Sequence, residues 1–397
     1  VNRIFTSLVI LVTVTALLAG CRVQSAGGRG VPGGNVNANG NVNANGAGND
    51  NGSPPAHDNG SAGNDNGGPS NDNGSADAVT QPAQPTEGPG SSDYAHQTVR
   101  KSRFGSGAEE YWLYEPADPT PDSAPVIAFL HGYGAMNPQA YGAWISHIVR
   151  KGNVVVFPIY QTALVSPPAE YTPAALAALV DAYDVLRSED HVDPDPVNFA
   201  LVGHSLGGVI AANLAVEGPD AGLPPARAVL TANAGDTQSP GGIAQILPSI
   251  LTSDYEDIPG DVLWLGVVGA DDDFVGDDAT VFLLDATSQI PPGNKEMITV
   301  FSDDYGEPDV RAGHSAPLAP DAEFDSGQPG FTDAVDETDA FIGAIDYYGY
   351  WKWFEALTDA AFFGHNREYA LGNTPEQTYM GQWSDGTPVR PAEASLP

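Results

Sequence analysis

From about residue 93 onward the chain alternates short apolar runs with longer stretches of helical spacing. EEYWLYEP (109–116) alternates apolar and polar positions as an edge strand does. APVIAFLHG (124–132) and NVVVFPIY (153–160) are unbroken apolar runs, the pattern of strands covered on both faces. Residues 139–151 lie between them with an amphipathic spacing that predicts a crossover helix. TPAALAALVDAYDVLRSE (172–189) predicts a second, capped by Thr172 with Pro173 at its first position. VNFALVG (197–203), ARAVLTANAG (226–235), DVLWLGVVGA (261–270) and KEMITVFS (295–302) repeat the apolar-run pattern, and the small-residue stretch LGGVIAANLAVEG (206–218) reads as a helix. An aromatic-rich stretch, 340–363, predicts a closing helix. Strand and helix in strict alternation predict an α/β fold, a doubly wound, mostly parallel sheet flanked by helices. The gaps after residues 161 and 236 are too short and too rich in Pro, Gly and Ser for a large cap domain.

The first part of the chain reads differently. Residues 1–20 carry one positive charge, Arg3, and then the apolar run LVILVTVTALLAG, too short to span a bilayer comfortably and typical of a secretory signal. The segment ends in LAGC, which resembles the lipobox of bacterial lipoproteins, and the resemblance implies lipid attachment at Cys21, the only cysteine. Residues 21–92 are expected to form a disordered tether. NVNANG occurs twice in tandem and NDNG three times, with almost no apolar side chain to offset the chain entropy of ordering. The expected organisation is therefore a signal peptide (1–20), a lipidated tether (21–92) and a folded domain (93–397), placed in the cell envelope with the membrane as a partner through the N-terminal lipid.

Charge narrows the partners. Fifteen Lys and Arg against 51 Asp and Glu give a formal net charge of −36, which repels phosphate backbones and argues against a nucleic-acid partner.

In doubly wound sheets the ligand site lies beyond the carboxyl ends of the strands, and the polar punctuation falls there. His131-Gly132 follows one apolar run, GHSLGG another, Asp271-Asp272-Asp273 a third, and DVRAGHSAP the last. Ser205, at a strand-to-helix junction between Gly203 and Gly207, has the surroundings of an activated nucleophile. A serine of this kind needs a base and a group to orient the base. His314 and His365 follow it in sequence, His314 on a loop past the last strand, His365 beyond the closing helix, where a surface or capping place is expected.

Together HGYG, GHSLGG, the Asp after the penultimate strand and the late His resemble the alpha/beta hydrolase superfamily over roughly residues 94–363, and the short HGYG loop is similar to that of cutinase-like and dienelactone-hydrolase-like esterases. The resemblance implies Ser205 as nucleophile, His314 as base and, from the G-x-x-D-x-x-V pattern matched by GADDDFV, Asp272 as the orienting acid with Asp273 as runner-up. It implies an oxyanion hole from the backbone amides of Tyr133 and Leu206. A serine nucleophile separates the chain from the dehalogenases of the superfamily, which use Asp. The activity implied is cleavage of carboxylic esters through an acyl-enzyme, with no metal or organic cofactor. An open cleft would take a bulky or polymeric ester substrate, walled by Tyr133 with Trp264 or Tyr160, although Trp264, mid-strand, reads more as core. The rival expectations are a peptidase or acyltransferase on the same fold, separable by amide cleavage, and a cell-surface binding protein without catalysis.

Overall fold

A computed structural model describes residues 78–163, 166–188, 190–239, 248–252, 254–328 and 341–395. The signal segment, Cys21 and the repeats up to residue 77 lie outside the described residues.

Among the described residues, nine strands form one sheet: β1 (Thr98–Phe104), β2 (Tyr111–Ala117), β3 (Ser123–Leu130), β4 (Val154–Pro158), β5 (Asp193–His204), β6 (Ala228–Ala232), β7 (Leu263–Gly269), β8 (Lys295–Val300) and β9 (Glu393–Ser395). Their order is β1-β2-β4-β3-β5-β6-β7-β8-β9, with the run from β4 to β8 parallel and β1, β2 and β9 antiparallel at its ends. The helices are α1 (Gly142–Arg150), α2 (Tyr171–Leu186), α3 (Leu206–Glu217), α4 (Asp278–Ala286) and α5 (Trp351–Phe363), with single-turn pieces besides.

Successive side chains of a strand point to opposite faces, so a strand covered on both sides must be apolar throughout. In β3, Ile127 and Phe129 join the core under α1 and α5, with Trp144, Ile148, Trp353 and Leu357. Val126, Ala128 and Leu130 join the core under α2, α3 and α4, with Leu179, Ile210 and Leu283. The two helical layers thus account for the unbroken apolar runs.

Three expectations about elements change. EEYWLYEP is not an edge strand: β1 lies outside β2, paired from Thr98↔Ala117 to Phe104↔Tyr111. β1 carries Arg100, Lys101 and Arg103 and is mostly half-buried, so it lacks the apolar signal, as edge strands that discourage pairing with other chains commonly do. Thr172 is not a cap, because α2 begins at Tyr171; its Oγ1 instead accepts from Asn213 Nδ2 at 3.1 Å. The regular closing helix starts at Trp351, after a wide π-type turn at Asp346–Tyr350 interrupted at Gly349 (φ −112°, ψ −112°).

The boundary expected at residue 93 also moves: the compact unit begins at Ala78. Residues 78–92 form a strap that borrows a core it could not build alone. Val79 packs on the large apolar cluster, Gly90 N–H donates to Glu355 Oε2 at 2.7 Å, and Ser91 is buried. The described parts of the connections after β4 and β6 hold only single 3-10 turns, Pro168–Glu170 and Tyr255–Asp257.

Candidate active site

Ser205 occupies the junction of β5 and α3 with φ 55° and ψ −125°, a conformation that costs a side-chain-bearing residue roughly 1–3 kcal/mol. Backbone bonds on both sides hold it: Ser205 N–H donates to Ala232 O (2.9 Å), and Ser205 O accepts from Gly208 N–H (2.9 Å) and Gly235 N–H (3.1 Å). The flanking glycines are steric necessities. A Cβ on Gly203 would lie 2.1 Å from Gly207 O, and one on Gly207 would lie 2.2 Å from Leu130 O. Strand and helix therefore close on each other only because both positions are bare.

His314, on the loop after β8, faces the serine: Ser205 Oγ lies 2.9 Å from His314 Nε2, and His314 Nδ1 lies 2.8 Å from Asp272 Oδ2. Asp272 follows β7. Its second oxygen accepts the amides of Phe274 (3.0 Å) and Val275 (3.1 Å), so the carboxylate cannot swing away. Burial pushes the Asp272 carboxyl up, but the hydrogen bond and charge of His314 and the two amides outweigh it, holding the carboxyl below its ordinary value. The Asp272 side chain is 1% exposed and that of His314 20%, so the imidazole stands at the solvent boundary with the carboxylate behind it. Asp271 and Asp273 are exposed. His365 is exposed too, stacked on Phe363 and 3.7 Å from Asp359, away from the serine.

The HGYG loop abuts the elbow, where a Cβ on Gly132 would lie 3.3 Å from Ser205 Cβ. Its amides are allotted individually. Gly132 N–H goes to Tyr141 Oη (2.9 Å), Gly134 N–H to Gln161 Oε1 (2.8 Å) and Ala135 N–H to Gly132 O (3.0 Å). Among the described residues no acceptor is found for Tyr133 N–H, and Leu206, the first residue of α3, belongs to the turn whose amides have no partner within the helix. His131 braces the loop from below. Its ring stacks on Tyr160 at 4.0 Å, its nitrogens face Gly132 O (2.7 Å) and Ile159 O (2.9 Å), and burial pushes its pKa down to about 4. Tyr160 donates to His131 O. Tyr160 and Trp264 are fully buried, so neither walls a cleft; Trp264 is core, while Tyr133 is half-buried. Phe274, also half-buried, has its ring 4.8 Å from that of His314, a neighbour the sequence reading did not single out.

Gln161, Asn233 and Ser302 were passed over as well. Asn233 Nδ2 donates to Gly313 O (3.0 Å), and Ser302 Oγ accepts from Ala312 N–H (2.9 Å). A signal existed: each is at or next to the first polar position past an apolar strand, on the rim that also carries Ser205 and Asp272. Among the described residues no group of three or more His, Cys, Asp or Glu is arranged to hold a metal ion.

A family model described as the alpha/beta hydrolase fold matches residues 127–255, a span that contains HGYG and Ser205 and stops short of Asp272 and His314. No curated protein matches the chain. The match supports a hydrolase, and with the mostly parallel nine-stranded sheet flanked by helices it establishes that this chain has the alpha/beta hydrolase fold.

Proposed function

We propose that the chain is a serine hydrolase of carboxylic esters, exported and held in the cell envelope by a lipid on Cys21. The observation that carries the catalytic reading is the unbroken line Ser205 Oγ, His314 Nε2, His314 Nδ1, Asp272 Oδ2, with contacts of 2.9 and 2.8 Å, at a strained serine. The envelope reading rests on the apolar run of residues 8–20 and the LAGC that ends it.

In this mechanism Ser205 Oγ attacks the ester carbonyl as its proton passes to His314 Nε2. The carbonyl π pair becomes an oxyanion received by the amides of Tyr133 and Leu206. Donors of this type are each worth about 3 kcal/mol of barrier when preorganised. Asp272 stabilises the imidazolium. Collapse of the tetrahedral intermediate breaks the C–O bond, and His314 returns the proton to the leaving alcohol. Water, deprotonated by His314, then releases the acid and restores Ser205. The half-buried rings of Tyr133 and Phe274 give the cleft apolar walls suited to acyl and alcohol groups.

The test is labelling of the chain by a fluorophosphonate, with turnover of p-nitrophenyl esters of increasing acyl length, beside Ser205→Ala. Labelling and turnover are expected for the wild type, with turnover in the variant reduced by about a million-fold and labelling abolished. A folded wild type that neither labels nor turns over ester refutes the reading. Cleavage of an anilide at a rate comparable to the ester would move the chain to the peptidases.

A further inference from the structure

The loop that carries His314 is held by its carbonyls in an unusual way. Three consecutive ones each receive a donor from the end of a different strand. Ala312 O accepts Asp271 N–H (3.1 Å), past β7; Gly313 O accepts Asn233 Nδ2 (3.0 Å), past β6; His314 O accepts His204 Nε2 (2.9 Å), the last residue of β5. Of these donors His204 alone is a titratable side chain, and it is linked onward. Its Nδ1 lies 2.9 Å from Tyr141 Oη, and Tyr141 Oη lies 2.9 Å from Gly132 N.

The direction of every bond follows. A carbonyl only accepts, so His204 Nε2 carries a hydrogen. His204 is buried, and burial, followed by the neighbouring charge of His314, pushes its pKa down to about 3, so the ring is neutral and Nδ1 is a lone pair. Tyr141 must then donate its O–H to Nδ1, which leaves its oxygen free to accept Gly132 N–H. The chain Gly132 N–H, Tyr141 O–H, His204 Nδ1, His204 Nε2–H, His314 C=O has one hydrogen per link and all in one sense. It joins the HGYG loop to the backbone of the residue that faces Ser205.

We infer that Tyr141 and His204 are positioning residues, which set the placement of His314 relative to the oxyanion loop through a histidine locked as its Nε2–H tautomer. This rests on the ester-hydrolase reading above. Neither side chain takes part in the chemistry; they fix where the base and the oxyanion donors stand with respect to one carbonyl carbon. The pairing also explains why a histidine occupies the position before the nucleophile. There the side chain leaves the strand toward both loops and needs a donor on one nitrogen and an acceptor on the other.

The tautomer can be read without activity. In the full chain labelled with 15N-histidine, His204, assigned by its loss in His204→Gln, is expected to show a protonated Nε2 and an unprotonated Nδ1 throughout the neutral range. An imidazolium or an Nδ1–H tautomer overturns the inference. For function, Tyr141→Phe deprives Nδ1 of its donor and Gly132 N–H of its acceptor. Its kcat on a p-nitrophenyl ester should fall about 10–100-fold with KM within about threefold, as expected for loops displaced by a fraction of an ångström. His204→Gln, which retains a side-chain N–H donor, should recover most of the activity lost in His204→Leu. A folded Tyr141→Phe with kcat within about twofold of wild type, or equal losses in the Gln and Leu variants, also overturns it. If Tyr141→Phe does not fold, the tautomer and the Gln/Leu pair decide. A wild type that is never labelled by fluorophosphonate defeats the hydrolase reading instead, a result distinct from any of these.

Discussion

Among the described residues the Tyr–His relay occurs twice. At the rim it runs Gly132 N–H, Tyr141, His204, His314 O. Between α1, α5 and the strap it runs Gln84 Nε2 to Tyr94 Oη (3.0 Å), Tyr94 Oη to His147 Nδ1 (3.2 Å) and His147 Nε2 to Glu355 Oε2 (3.0 Å). Both histidines are buried and both are pushed down in pKa, chiefly by burial. The difference is the terminus. One relay ends on the backbone of a loop beside a strained serine; the other ends on a carboxylate that also takes Gly90 N–H and Lys151 Nζ (2.9 Å), and so fastens residues 78–92 to the fold. A third pair makes the point from another side: His314–Asp272 and His147–Glu355 are both histidine–carboxylate contacts of 2.8–3.0 Å. What suits one of them to general-base chemistry is the other ring nitrogen, which meets Ser205 Oγ at the solvent boundary rather than a tyrosine inside a packed knot.

The largest effect expected from that contrast is on turnover. Asp272→Asn should lower kcat on p-nitrophenyl esters about 10,000-fold, since the imidazole loses both its fixed tautomer and its counter-charge. Glu355→Gln, the same chemical change in the other pair, should leave kcat within about threefold, the range of a change remote from the chemistry. Steady-state kinetics on the two variants check this. A loss in the second comparable to the first would mean that the strap governs the site.

Acid should act on both relays at once. His131 at about 4, His204 at about 3 and His147 at a lowered value all lie below the unfolded value of about 6.5. Between folded and unfolded values the unfolded chain binds more protons, so the stability held above about pH 6.5 is lost as pH falls, by up to about 1.4 kcal/mol per pH unit for each histidine. Glu355 adds a second window. Burial raises its carboxyl, but His147 and Lys151 outweigh this and hold it below the ordinary value. Its contribution is therefore present above about pH 4.3 and disappears as pH falls through the folded value. Denaturant melts at half-unit steps from pH 7.5 to 4 should show a steepening decline below 6.5. A flat profile to pH 5 would mean that the buried histidines take up protons in the folded chain as they do in the unfolded one.

What the sequence disclosed and withheld follows from the same physics. β3, β4 and β6 were legible because both their faces are covered, leaving no polar position to blur the pattern. β1 was not, since its half-buried positions carry Arg100 and Lys101, whose charged ends pair with Glu115 and lie over Phe324 and so break the apolar pattern. The rim was legible because reactive residue types stand past the ends of apolar runs, but position alone left Asp271, Asp272 and Asp273 equivalent; the family resemblance singled out Asp272, and the structure brings it together with His314 and Ser205. Tyr141 and His204 were invisible as partners: their link spans 63 residues and exists only once the turn that precedes α1 meets the end of β5. The strap was misread as tether because composition reports whether a segment can make its own core, and says nothing about one it can borrow.

Removing the end of the second relay should be the next largest change in stability. Glu355→Ala leaves Gly90 N–H without its acceptor and His147 and Lys151 without their carboxylate, a loss of about 3 kcal/mol by analogy with broken buried pairs. The strap should also become cleavable by proteases near residue 90 while ester turnover at room temperature stays intact. Cleavage no faster than in wild type would show that Val79, Gln81 and their partners hold the strap unaided.

The smallest effect tests whether the relays differ in function or only in place. Tyr94→Phe removes the donor to His147 Nδ1 as Tyr141→Phe removes the donor to His204 Nδ1, so each variant leaves a buried acceptor nitrogen unpaired, at about 1 kcal/mol. Each also takes an acceptor from an N–H: Gly132 N–H at the rim, and Gln84 Nε2 at the strap, which keeps Gly90 O, so Tyr141→Phe should lose somewhat more stability. If the relays are equivalent packing devices, both variants lose stability and neither loses turnover. If the terminus decides, stability falls in both while kcat falls in Tyr141→Phe alone. The aromatic rings remain in both cases, Tyr94 under Arg150 and Tyr141 against Phe129, so the comparison isolates one hydroxyl in each. Thermal melts and ester kinetics on the matched pair therefore separate the two possibilities, and a drop in kcat in Tyr94→Phe as large as in Tyr141→Phe would erase the distinction between the rim and the strap.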